Sequence, residues 1–323
     1  MVRSLVISLF LAQAAASQVS VQAERMGQQP ILRPSLPWAE MGAFNPAAIQ
    51  VGAKTILLFR AQDAKKTSRI GYAESVDGRT FTVDAEPVLS PSTDYEKDGG
   101  VEDPRVVLID GIYYLTYTGY NLHDAQLCLA TSRDLRHWQR AGVILPAYQG
   151  TWNKQWTKSG AIVPQKINGK WWMYYLGTAP GPDGKTRDMM GLASSDDLLH
   201  WKDATQKPVL DVHLNAFDSR VMEPGPPPIV TSAGILLLYN GADDQLVYRP
   251  AWVLFDAKDP RRVMARAERP FIEPKLEWER VGTVPNVIFL EGAVGDLSNL
   301  TGYYGAADKY VGAMRLRISL RSR

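Results

Sequence analysis

The sequence predicts an all-β fold, a five-bladed β-propeller with four antiparallel strands per blade around a central channel. Three observations carry that reading. A unit made of an aromatic strand, a short loop, a small-and-apolar strand, a turn and a closing aromatic residue runs through most of the chain. The aromatic strands end at Arg60, Tyr117, Tyr175, Tyr239 and Tyr304, in steps of 57, 58, 64 and 65 residues, a period that suits four-stranded blades and not helical solenoids. Tight-turn pairs, Asp110-Gly111 and Asn168-Gly169, together with Val51-Gly52-Ala53-Lys54, sit between strand-like runs and read as hairpins. No amphipathic helix longer than a couple of turns stands out. A β-sandwich, or two small β domains, would not require so regular a spacing.

Composition bounds the function classes. The 323 residues are 45% hydrophobic and 22% charged, which is globular. With 36 basic and 34 acidic residues, net +2, there is no electrostatic case for nucleic acid. Nine Trp and fourteen Tyr suit strands and also stacking on sugar rings. The one cysteine, Cys128, excludes an internal disulfide; within Leu127-Cys128-Leu129-Ala130 it reads as a small core residue.

Taken in order, residues 1–23 read as a secretory signal. Arg3 supplies the positive start, Leu5 to Leu11 the apolar middle, and Ala14-Ala15-Ala16 or Val21-Gln22-Ala23 a cleavage site. The apolar run is too short to span a bilayer, and nothing later is long enough. Residues 24–323 are expected to form one propeller domain, secreted or periplasmic. Gln28 to Pro37 is Pro-rich and reads as a surface strap. The first unit is Thr55–Arg60 with Ile70–Ser75; the second is Ile112–Tyr117 with Leu127–Ser132. The third is Trp171–Tyr175 with Met190–Ser195, the fourth Ile235–Tyr239 with Ala251–Phe255, and the fifth Leu300–Tyr304 with Tyr310–Met314.

In a propeller, the polar residues that begin the innermost strands converge at one mouth of the channel. The densest such stretch is Gly99-Gly100-Val101-Glu102-Asp103-Pro104-Arg105. Pro104 disfavours helix at Asp103, and Arg105 is expected to hold that acid ionised through a two-pronged contact. The other blades offer Asn45 and Arg60, Lys158 and Ser159, Glu223, and Asn286, Glu291 and Asp308. Each alone reads as a turn or cap. Together, facing charges of this kind cost desolvation and repulsion unless a ligand uses them.

The run Gly100–Arg105, with Gly225-Pro226-Pro227-Pro228-Ile229, Leu238-Tyr239-Asn240-Gly241, Asp259-Pro260 and Tyr303–Asp308, resembles glycoside hydrolase family 130 from about Phe44 to Met314. The resemblance implies a five-bladed propeller acting on β-mannosides, by inverting phosphorolysis or, in a smaller set, by inverting hydrolysis chiefly of β-1,2 linkages. By position it implies that Asp103 is the catalytic aspartate, which passes a proton to the glycosidic oxygen by way of a mannose hydroxyl. It likewise implies that Asn45, Arg60, Arg105 and Asp308 hold the mannose, and Glu102, Lys158 and Asn240 join them as substrate-binding candidates.

Three departures from the phosphorylase pattern shape the expected activity. Asn240 stands where a phosphate-binding histidine is usual, Ser159 where an aspartate follows the lysine, and Met222-Glu223-Pro224 where a small residue precedes Gly-Pro-Pro-Pro. Glu291 adds a further carboxylate. Losing cations and gaining carboxylates is wrong for seating a dianion and right for activating water. The sequence therefore leads to an inverting hydrolase that releases mannose, with Asp103 on the acid side, Glu223 as the base and Glu291 its alternate. The rival readings are a β-mannoside phosphorylase, a related propeller glycosidase acting on arabinofuranosides, and a sugar-binding propeller without activity. No cofactor or metal is expected: His123, His137, His200 and His213 show no ligand spacing. The expected partner is an oligosaccharide or glycoside, and the oligomeric state is left open.

Overall fold

A computed structural model describes residues 19–320. Among them the chain is all-β, with twenty-one strands, two 3-10 turns and one short helix, α1 (Glu277–Arg280). No helix of the described residues is long and apolar enough to cross a membrane.

The strands fall into antiparallel groups in chain order. β1 (Val19–Arg25) pairs along its whole length with the last strand. β2 (Gly42–Val51), β3 (Lys54–Gln62), β4 (Ser68–Ser75) and β5 (Thr82–Val83) form the first group. β6 (Gly100–Ile109), β7 (Ile112–Tyr120), β8 (Ala125–Ser132) and β9 (Gln139–Leu145) form the second. The third is β10 (Thr157–Ile162), β11 (Trp171–Pro180), β12 (Thr186–Ser195) and β13 (Trp201–Asp203). The fourth is β14 (Val221–Pro224), β15 (Ile229–Thr231), β16 (Gly234–Ala242), β17 (Tyr248–Phe255) and β18 (Val263–Arg266). β19 (Ile288–Asp296), β20 (Asn299–Ala306) and β21 (Tyr310–Leu320) complete the fifth, with β1 at its edge. Single parallel pairs, Ser68 with Gly100 and Asp188 with Val221, join the first group to the second and the third to the fourth.

The expected turns are present. Asp110-Gly111 and Asn168-Gly169 both carry positive φ at each of their two positions, as a two-residue hairpin of the right twist requires. Cys128 is fully buried, and burial pushes its thiol up to about 12, which leaves it without thiolate character.

The repeat has a structural cause that spacing alone did not reveal. Tyr117, Tyr175, Tyr239 and Tyr304 are buried, and each hydroxyl donates to a buried or half-buried carboxylate: Glu96, Asp203, Asp218 and Glu279. Arg140, Arg266 and Arg25 hold three of those acids from the far side. In the first group the register aligns Phe59 with these tyrosines, since Gly71 lies under its ring as Gly191 and Gly312 lie under Tyr175 and Tyr304. Arg60, counted as that strand's aromatic end, is one residue further and points to the opposite face. Side chains alternate along a strand, so this one-residue difference separates a core position from a site position.

The expected signal, residues 1–23, lies outside the described residues over its first 18 positions. Val19 to Ala23 are in β1, so a domain boundary at 23/24 falls inside a strand that covers the edge of β21.

Candidate active site

The first strands of the groups, β2, β6, β10, β14 and β19, converge, and four of them are bulged where they meet. The register slips at Asn45, at Asp103-Pro104, at Ser159-Gly160 and at Glu291. A bulge adds a residue without a ladder partner and re-aims its side chain. Asn45, Asp103 and Ser159 accordingly adopt φ of 46°, 49° and 58°, a left-handed conformation that non-glycine residues hold only when their surroundings fix them. Asn and Asp tolerate it best. Gly305 makes room for one of them, because a Cβ there would fall 1.9 Å from Asn45 Oδ1.

Asp103 Oδ1 accepts from Asn45 Nδ2 at 2.9 Å and from Arg60 Nη1 at 3.1 Å. Arg60 Nη2 also reaches Glu102 at 2.5 Å, its Nε donates to Ser68 Oγ, and its guanidinium lies 4.9 Å from the Phe44 ring. Burial pushes the Asp103 carboxyl up. Arg60, Lys158, the Asn45 hydrogen bond and Arg105 more than offset this and bring it to about 2. These partners therefore favour the anionic form of Asp103.

Arg105 does not grip the Asp103 carboxylate as the sequence suggested. Its Nη1 donates to the Asp103 backbone carbonyl at 3.0 Å and lies 3.4 Å from Glu291 Oε1. Its Nη2 and Nε donate to the carbonyls of Pro224 and Gly225, and Phe289 lies 5.7 Å from the guanidinium. A side chain only 1% exposed thus ties β6 to β14 and β19. The ion partner of Asp103 is Arg60, on another group, which adjacency in sequence could not show.

Glu223 accepts a short hydrogen bond from Ser159 Oγ. Burial raises its carboxyl, against Lys158 and Arg105, which lower it. Glu291 is held well above the ordinary carboxylate range by burial, with Asp103 and Glu223 adding repulsion and Arg105 opposing. Asp308 is raised to about 7 by burial, with Arg60 lowering it and Asp103 and Glu102 raising it. Lys158 stays an ammonium: burial lowers it, but Glu102, Asp103 and Glu223 raise it further.

The structure thus brings together Asn45, Arg60, Glu102, Asp103, Arg105, Lys158, Glu223, Glu291 and Asp308. Asn240 is the exception among the expected substrate ligands. It is fully buried, its Nδ2 donates to the Leu290 carbonyl at 2.9 Å, and its Oδ1 accepts from the Leu290 amide at 2.8 Å. With both ends of its amide spent on backbone, it fixes the strand that carries Glu291. Asn286 is a turn residue with φ of 60°, its carbonyl accepting from the Tyr248 amide.

Sequence reasoning missed Ser68, whose hydroxyl links Arg60 to Glu102, and Tyr248. Burial raises the Tyr248 hydroxyl well above its ordinary range, and Glu223, Asp188, Asp308 and Asp103 raise it further, so it faces the carboxylate cluster. Both residues begin the third long strand-like run of their unit, a position with a signal of its own that inspection of the first strands passes over.

Buried carboxylates driven to opposite acidities, held by guanidinium and ammonium groups where β-strands converge, are the equipment of an enzyme that breaks glycosidic bonds. The comparisons with known proteins agree. The family model described as beta-1,4-mannooligosaccharide phosphorylase matches residues 28–319, and the chain belongs to glycoside hydrolase family 130. A 1,2-beta-oligomannan phosphorylase of Thermoanaerobacter sp. (strain X514) is 38% identical over 92% of this chain and 98% of its own length. A solved structure described under the GH130 family of mannoside phosphorylases, as containing glycoside hydrolases that target beta-1,2 mannosidic linkages in Candida mannan, is 33% identical. It superposes with a TM-score of 0.81 over 91% of this chain and 93% of that one. The beta-1,2-mannobiose phosphorylase of Listeria innocua, in complex with beta-1,2-mannobiose, is 26% identical with a TM-score of 0.80, covering 91% of this chain and 96% of that one.

Proposed function

We propose that the protein cleaves β-1,2-linked mannosides with inversion at the anomeric carbon, at the site around Asp103. The observation that carries this is the buried, ionised Asp103 beside Asn45 and Arg60. A carboxylate already deprotonated cannot itself donate the proton that the leaving oxygen needs. To act on the acid side it first takes up a proton and gives it to a substrate hydroxyl as that hydroxyl's own proton passes to the glycosidic oxygen, which leaves the carboxylate ionised again. In this reading the five antiparallel groups are the blades of a five-bladed propeller, with the site at one mouth of its channel. The protein is exported, its leader lying within residues 1–18.

Phosphorolysis is the first reading of the second half-reaction, because the curated relatives named above are phosphorylases. Inorganic phosphate, drawn by the Lys158 ammonium, would attack the anomeric carbon on the face opposite the leaving oxygen. Hydrolysis, the activity expected from the sequence, is the second reading, and a specific observation favours it. Burial raises the proton affinity of Glu223, which Ser159 holds in the cluster, and a carboxylate of raised affinity suits the activation of water. Glu223, on Ser159, would then take the proton of the attacking water.

One experiment separates them. β-1,2-Mannobiose is incubated with the protein with and without phosphate, and the products are followed by NMR. α-Mannose 1-phosphate formed only with phosphate is the expected result of the first reading; α-mannose at a phosphate-independent rate establishes the second. Intact mannobiose under both conditions overturns the function.

A further inference from the structure

Beyond the charged cluster, two aromatic rings stand at its edge without a role in the core. Trp156 precedes β10 by one residue, and Tyr120 ends β7. Their ring centroids are 6.0 Å apart at an interplanar angle of 62°. The indole N–H of Trp156 donates to the His123 carbonyl at 3.1 Å, and the Tyr120 hydroxyl donates to the Leu122 carbonyl at 3.3 Å. Both rings are therefore held in place by the loop between β7 and β8. Among the described residues neither belongs to the apolar clusters of the interior, whereas Trp152, four positions earlier, is 7% exposed and packs there.

Their position ties them to the chemistry. The Lys158 ammonium lies 5.9 Å from the Trp156 ring, and the same ammonium is raised by Glu102, Asp103 and Glu223. Tyr120 lies on the residue that opens the acidic stretch, since a Cβ on Gly99 would fall 2.5 Å from its ring. Asn45 and Arg60 approach Asp103 from the first group; Trp156 stands on the side of the third. A half-exposed, immobilised indole next to a half-buried cation presents an apolar face with little entropy left to lose on binding.

We propose that Trp156, backed by Tyr120, is a stacking platform for a mannosyl unit adjoining the one cleaved at Asp103, and sets the preference for oligomannosides over substrates with a single sugar. The inference rests on the proposed β-mannoside activity. It concerns how that adjoining unit is held and does not depend on whether water or phosphate is the acceptor.

The test compares wild type, Trp156→Ala and Trp156→Tyr in phosphate buffer, on β-1,2-mannotriose and on β-mannosyl fluoride, whose leaving group has no ring to stack. For Trp156→Ala, kcat/KM on mannotriose is expected to fall roughly tenfold or more, chiefly through KM, while the fluoride stays within about threefold. Trp156→Tyr should recover most of the loss. Equal falls on both substrates would mean a structural role and overturn the inference, as would no fall on either. Wild type inert on both substrates removes the β-mannoside reading and this inference with it; an active wild type without discrimination in the variant removes the inference alone.

Discussion

Asp103 is buried and Asp308 half-buried in one cluster, yet the first is brought to about 2 and the second to about 7. Partners decide the difference: Asp103 has Asn45 and Arg60 on its own oxygen, while for Asp308 burial and the neighbouring acids prevail. For Asp308 the folded state favours the protonated form. Its contribution to stability is present in acid and is lost as pH rises from the ordinary aspartate range through about 7. If the protonated form binds substrate, kcat/KM falls on the alkaline side with a midpoint near 7, and Asp308→Asn abolishes or displaces that limb. A pH–rate profile checks it, and an identical limb in the variant would assign it elsewhere. Asp103→Asn keeps the shape and the Asn45 and Arg60 neighbours but loses the anion. Turnover should drop by a factor on the order of 10² or more at temperatures where the variant is folded; turnover within a few-fold of wild type would remove Asp103 from the mechanism.

At the scale of elements, the bulged first strands and the tyrosine–carboxylate ties divide the work. The bulges aim Asn45, Asp103, Ser159 and Glu291 into the site, and the ties anchor the loops that lead into or out of the groups. The edge strand β1 closes the fifth group, pairing residue by residue from Val19 with Leu320 to Arg25 with Met314. Its loss would leave the edge of β21 open, at roughly 0.5–1.5 kcal/mol per ladder hydrogen bond, besides removing the buried Val19 side chain. A chain that starts at Glu24 should therefore melt at least several degrees below one that starts at Ser17. Equal melting temperatures by calorimetry would show that β1 contributes nothing, and would leave Ala23 as good a processing site as Ala16.

Across the whole molecule, the sequence by itself determined the all-β class, the repeating units and their turns, and most of the site. Strand alternation, Asn-Gly and Asp-Gly turns and aromatic spacing are local signals, written within a few residues of what they specify. The polar residues that begin each first strand were legible for the same reason. Pairing across groups was not. That Arg60 rather than Arg105 neutralises Asp103, that Asn240 is consumed by the Leu290 backbone, and that Tyr248 and Ser68 join the cluster follow from residues 34 to 186 positions apart meeting in space. A one-residue bulge decides which face a side chain takes, and it leaves no mark in the period of the repeat. Acidity, too, belongs to the fold: Glu291 and Asp103 read as equivalent carboxylates along the chain, and only burial and the placement of the cations push one up and the other down.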